Sequence, residues 1–144
     1  GKYEIIKIKS LNNIIDIGCT RNTTFAVNIE NTLYTFGDHT KGLCGIKKFD
    51  PNKRTINIIS HIKISKIQCG YEYVGCITIH NELYMFGSND FGQCGTKNGI
   101  DLYRQAGTLW VPTQISYDNF VVDINLGWHH TFVLVSNGDY YSFG

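Results

Sequence analysis

The feature that most constrains this chain is that it repeats itself. Three segments align without gaps when anchored on a Phe-Gly pair. One runs from Ile17-Gly18-Cys19-Thr20 to Leu33-Tyr34-Thr35-Phe36-Gly37. The next runs from Ile67-Gln68-Cys69-Gly70 to Leu83-Tyr84-Met85-Phe86-Gly87, and the last from Ile124-Asn125-Leu126-Gly127 to Tyr140-Tyr141-Ser142-Phe143-Gly144. The anchors stand 50 and 57 residues apart, and Gly42-Leu43-Cys44-Gly45 recurs 50 residues on as Gly92-Gln93-Cys94-Gly95. A fixed period of this length means that each unit is one supersecondary module, stacked on its neighbours to bury a shared core. We divide the 144 residues, as a single domain, into units of roughly 3–45, 46–95 and 96–144.

The module reads as antiparallel sheet. The chain has 19 Ile and only 2 Ala, which favours strands over long helices. Short apolar runs are separated by Glu30-Asn31, His80-Asn81 and Asn137-Gly138, and the last pair predicts a type I′ hairpin turn. In Tyr34-Thr35-Phe36 and Tyr84-Met85-Phe86 the aromatics share one face, while Leu33 and Leu83 point to the other. A strand apolar on both faces is sandwiched between layers. Further strands are expected over 3–9, 56–60 and 111–116. The fold expected is all-β, with about four antiparallel strands per unit, the blade of a β-propeller. Phe36, Phe86 and Phe143 should then be equivalent core residues between blades.

The motifs Cys69-Gly70, Asn81-Glu82-Leu83-Tyr84-Met85-Phe86-Gly87, Asn89-Asp90-Phe91-Gly92-Gln93-Cys94-Gly95 and Gly127-Trp128-His129-His130-Thr131 resemble the regulator of chromosome condensation repeat. The resemblance spans essentially the whole chain. It departs at Thr20, where Gly is usual, at Asn22-Thr23-Thr24, which lacks the His, and at Cys44 and Cys94, where Leu is common. It implies a seven-bladed propeller, of which three units form an incomplete ring. Open blade edges imply self-association. His130 stands at the family's recurrent His, where a hydrogen bond would fix the loop. Some members of the family gather tryptophans at the Trp128 position; here the equivalents are Arg21 and Tyr71, so no such cluster is expected.

Little in the sequence suggests catalysis. The five cysteines include two repeat-equivalent pairs, Cys19 with Cys69 and Cys44 with Cys94, and read as small buried hydrophobes. Neither Cys-x-x-Cys nor zinc-type His spacing occurs. Gly42-x-x-Gly45 and Gly92-x-x-Gly95 are turn glycines without the strand-to-helix setting of a phosphate loop. We therefore expect no catalytic residues, metal or cofactor. A net charge of +1 gives no whole-chain field toward nucleic acid or acidic lipid. No apolar run reaches the roughly 18 residues of a membrane helix, and no signal segment is evident, so an intracellular setting without membrane is expected.

Partner contacts are expected in the loops. Insertions in repeat folds map to loops, often where partners bind. One insertion holds Lys47, Lys48, Lys53 and Arg54, the other Tyr103, Arg104 and Trp110. Trp128 and His129 lie beside irregular segments, and Glu72 occupies the loop position matching His129. Trp, Tyr and Arg are the types enriched in interface hot spots. The expected function is a non-enzymatic protein-protein interaction scaffold. The resemblance supplies two alternatives: nucleotide exchange on a Ran-like small GTPase, with chromatin association, and the substrate-recruiting arm of a ubiquitin ligase.

Overall fold

A computed structural model describes residues 5, 7–38, 40–46, 55–96 and 107–144. The first sheet holds β1 (Ile14–Cys19), β2 (Thr23–Asn28), β3 (Leu33–Gly37) and β4 (Asn57–Ile59), in that spatial order. The second holds β5 (Ile64–Cys69), β6 (Tyr73–Thr78), β7 (Leu83–Ser88) and β8 (Thr108–Ile115), again in order. The third has β9 (Val121–Leu126), β10 (Thr131–Val135) and β11 (Tyr140–Phe143). All pairings are antiparallel. The architecture is all-β, in sheets that do not close into a ring. Among the described residues there is no α-helix, and no helix long and apolar enough to cross a membrane.

Each four-stranded sheet takes its last strand from beyond an insertion, so the sheets are offset from the sequence units. β4 pairs back onto β3, and β8 onto β7. The strand expected over 3–9 is not formed by its described residues, which are irregular or turn. Its counterparts β4 and β8 each lie against the third strand of the preceding sheet.

The hairpins also differ from expectation. Gly138 N donates to Val135 O and Val135 N to Asp139 O, both at 3.0 Å. Gly138 has φ +91°, whereas Asn137 is not among the residues with positive φ. The turn is thus a three-residue loop ending in one left-handed residue, not type I′. Asn31 and Asn81, both at φ +61°, close the same turn in the other two sheets. Asn tolerates that conformation better than most non-glycine residues, which is why it serves at two of three positions.

The sheets pack face to face. β6, in the middle sheet, is buried along its whole length, whereas β10 alternates, with Thr131, Val133 and Val135 buried and Phe132 and Leu134 exposed. Phe86 is fully buried, its ring 6.1 Å from Phe25 of the first sheet at 66°. Gly75 lets the next sheet approach: a Cβ there would lie 2.7 Å from Ile124 Cδ1.

Phe36, Phe86 and Phe143 occupy equivalent places but are not equally buried. Phe36 and Phe143 are half-buried. Phe36 lines a groove with Ile8, Leu11, Ile14, Ile17 and Ala26, on the face of the first sheet that no other sheet covers. Phe143 packs on Gly95, where a Cβ would sit 2.9 Å from its ring. Cys44, Cys76 and Cys94 are buried as expected, but Cys19 is exposed, because its strand edge faces the same uncovered side. Burial pushes the Cys94 thiol up to about 12.

Phe86→Ala should cost about 3–5 kcal/mol, and Phe36→Ala clearly less, in urea unfolding; equal losses would contradict the stacking order. Exposed apolar faces promote association. The chain should therefore run above its 16.3 kDa monomer mass in size-exclusion light scattering, with Phe132→Lys plus Leu134→Lys restoring the monomer. A parent chain that is monomeric at all concentrations would refute this.

Candidate functional site

The loops joining the first and second strands of each sheet are built alike. Thr20 N donates to Thr23 O, Gly70 N to Tyr73 O and Gly127 N to His130 O, at 2.8–2.9 Å. Each closure presents two residues at the rim: Arg21-Asn22, Tyr71-Glu72 and Trp128-His129. Because the sheets are stacked, these loops meet. Arg21 N donates to Tyr71 O at 3.0 Å, and the Arg21 guanidinium carbon lies 5.5 Å from the Tyr71 ring centroid. Tyr71 in turn lies 4.8 Å from Trp128 at 42°. Arg21, Tyr71 and Trp128 thus form a ladder of a cation and two rings across three sheets, an arrangement worth roughly 0.5–1.5 kcal/mol per aromatic contact. No tryptophan cluster is present, but the column is continuous all the same.

A second tier braces the ladder. Arg21 Nη1 stands 3.7 Å from Glu72 Oε1. The His129 ring is 5.8 Å from Trp128 and 4.4 Å from Phe91. Its Nδ1 is shielded from solvent and makes no hydrogen bond, so His129 acts here as a stacked ring. Phe91 is carried by the Gly-x-x-Gly turn, which polar bonds fix from below. Gln93, itself buried, accepts from Phe91 N at 2.9 Å, and Asn89 accepts from Cys94 N at 2.8 Å. Lys41 pairs with Asp90 beside it at 3.3 Å. The result is a rim on which the Trp128 and Phe91 rings remain 63% and 60% exposed. Both ion pairs are partly solvated and contribute little to stability.

The structure brings three of the expected residues together here: Glu72, Trp128 and His129. Trp110 lies apart, on the outer strand β8, and makes no ring contact with the cluster. Lys47, Lys48, Lys53, Arg54, Tyr103 and Arg104 fall outside the described residues. Sequence reasoning missed Arg21, Tyr71 and Phe91. The aligned column 21, 71 and 128 held the signal for the first two.

The expected loop-fixing bond of the His130 side chain is replaced by another. The His130 ring lies over Gly127 and meets Phe132 edge-on at 6.0 Å, and the residue contributes its carbonyl. Tyr73, at the same repeat position one sheet earlier, donates its hydroxyl to that carbonyl at 2.6 Å. Burial pushes the Tyr73 phenol up from its ordinary value. Its ring covers Gly70 so closely that a Cβ there would fall within it. Gly70→Ala should therefore cost about 1–3 kcal/mol, and Tyr73→Phe about 1 kcal/mol. Thermal unfolding checks both, and a silent Gly70→Ala would show that the ring does not sit where described.

Residues 80–134 match the Regulator of chromosome condensation (RCC1) repeat. No curated protein matches the sequence. Among solved structures, human WBSCR16 superposes with a TM-score of 0.83 at 11% identity, over 99% of this chain and 36% of that one. Yeast RCC1 (Prp20) bound to Kap60 gives 0.76 at 21% identity, over 92% and 32%. Prp20p from Saccharomyces cerevisiae, described with its binding to Gsp1p and histones, gives 0.77 at 21%, over 92% and 33%. This chain spans about a third of the length of each. Superposition and repeat match agree: the chain folds as an arc of β-propeller, and its residues 80–134 match the regulator of chromosome condensation repeat.

Proposed function

We propose that the chain is a non-enzymatic protein-interaction scaffold whose recognition surface is the rim cluster around Trp128 and Phe91. One observation carries the reading: two large rings stay open to solvent although stacking and hydrogen bonds already hold them in place. Rings fixed before binding lose little freedom when a partner covers them, and Trp is prominent among interface hot spots. The basic insertion with Lys47, Lys48, Lys53 and Arg54 is a second contact in this reading, for an acidic protein or chromatin surface. We place this activity inside the cell.

The likeness to Prp20p, described with binding to Gsp1p and histones, favours a second reading, exchange on a Ran-like GTPase. Glu72 and His129 would then be the loop residues that meet the nucleotide site. Purified Gsp1p and core histones, titrated onto the immobilised chain, test both. Trp128→Ala should weaken capture about tenfold with the β spectrum intact. Glu72→Ala with His129→Ala should abolish release of a fluorescent GDP if exchange occurs. A parent chain that captures but releases no nucleotide would leave the scaffold reading and remove the exchange one. Capture undiminished by Trp128→Ala and Phe91→Ala would refute the surface assignment.

A further inference from the structure

At the strand ends opposite the aromatic rim, the two junctions between sheets are built differently. In the first, residues 60–63 join β4 to β5. Ile64 N donates to Asn31 O, and Asn31 Nδ2 returns a bond to Ile64 O, both at 2.9 Å. Ile62 is buried in the core, and Lys63 Nζ donates to the Glu30 carbonyl at 3.2 Å. An ammonium group of the chain itself thus sits on the hairpin.

In the second junction the connection is one residue longer, 116–120. Val121 N still donates to Asn81 O at 2.9 Å, but the Asn81 side chain makes no return bond. His80, Glu82 and Phe120 stand where the first junction has Glu30, Thr32 and Lys63, and the longer connection adds Asp118. Between these parts lies a groove of about 490 Å³, lined by His80, Glu82, Gln114, Tyr117, Asp118 and Phe120 among others. Glu30 and Lys63 balance each other, whereas Glu82 and Asp118 leave two formal negative charges and, among the described residues, no Lys or Arg lines the groove. Glu82 is held at the wall, accepting from Thr78 Oγ1 at 3.2 Å and Gln114 Nε2 at 3.4 Å. Phe120 offers an exposed apolar surface for an alkyl stem.

We propose that this groove docks a basic segment of a protein partner, whose lysine or arginine takes the place that Lys63 fills at the first junction. The site is separate from the rim cluster and does not depend on it. Its volume lies within the range of small ligand pockets, and its charge is complementary to such a side chain and to no anion.

A fluorescein-labelled Lys-Gly-Lys-Gly-Lys-Gly peptide, with its Glu-Gly counterpart as control, tests the proposal by fluorescence anisotropy against the whole chain. The parent should bind the lysine peptide and not the glutamate one, more weakly as salt rises. Glu82→Gln with Asp118→Asn should weaken binding about five- to tenfold. Phe120→Lys should do the same by supplying the cation from within, and an unchanged melting temperature separates either effect from unfolding. Amide shifts in NMR should centre on His80, Asn119 and Ser136. No binding by the parent, undiminished binding by both variants, or shifts confined to the loops of Glu72 and Asp90 would each overturn it.

Discussion

Coverage of one sheet by the next is the interaction on which the rest of this structure depends. A sheet apolar on both faces has no stable existence in water, and among the described residues only the middle sheet is covered on both sides. Its strand β6 shows what coverage means residue by residue. Tyr73 and Ile77 face the third sheet with Gly75 between them, and Val74 and Cys76 face the first. Tyr73 also carries a polar group into the interface, which would be costly if unpaired. Its hydroxyl donates to His130 O and lies 3.2 Å from Thr131 Oγ1, which donates to Gln93 O at 2.8 Å. One side chain thus joins the second sheet, the third sheet and the Gly-x-x-Gly turn.

The same contact explains two departures from the repeat pattern that looked unrelated. Where the second residue of the column is a ring, the residue three before it is glycine: Gly70 under Tyr73, Gly127 under His130. In the first sheet that residue is Thr23, which has no ring, and Thr20 replaces the glycine. Thr20 Oγ1 then accepts from Thr23 N at 3.2 Å. The missing His and the missing Gly are one substitution, made at both ends of a single contact. Sheets that radiate from a common axis converge at their inner strands, where small residues are needed. Gly18 serves there, since a Cβ on it would lie 2.6 Å from Cys69 Sγ.

The repeat made the strands and their facing legible, because period-two alternation and the spacing of Phe-Gly pairs depend only on local chemistry. The phase of the sheets was not legible. Whether the strand at 57–59 closes one sheet or opens the next is decided by pairing across a ten-residue insertion, which no local pattern encodes. Burial was legible only where both neighbours exist, as Phe86 and Phe36 illustrate: the same motif, with different surroundings. At the rim, Trp128 and His129 stood out by type. Arg21 and Tyr71 did not, because their role comes from meeting the equivalent loop of another sheet. The groove of Glu82 and Asp118 was hidden for a similar reason, being the product of one extra residue in a connection.

The rim cluster is consequently a property of neighbouring sheets rather than of a repeat. Arg21, Tyr71 and Trp128 belong to three sheets, and their spacing is set by how closely those sheets pack at the inner strands. The ion pair of Lys66 with Asp123 sits on those strands and ties the second sheet to the third. The Lys66 hydrogen bond holds the Asp123 carboxyl below the usual range, and Asp16 accepts from Ile67 N at 3.0 Å to tie the first sheet to the second. Positions 16, 66 and 123 are repeat equivalents, so one column carries the polar fastening and the next loop carries the exposed rings. Any change that separates two sheets must therefore loosen the ladder before it unfolds a strand. Sheet stacking and the rim cluster share the same interface, and the rim can keep its two exposed rings ordered only while the sheets beneath it stay stacked.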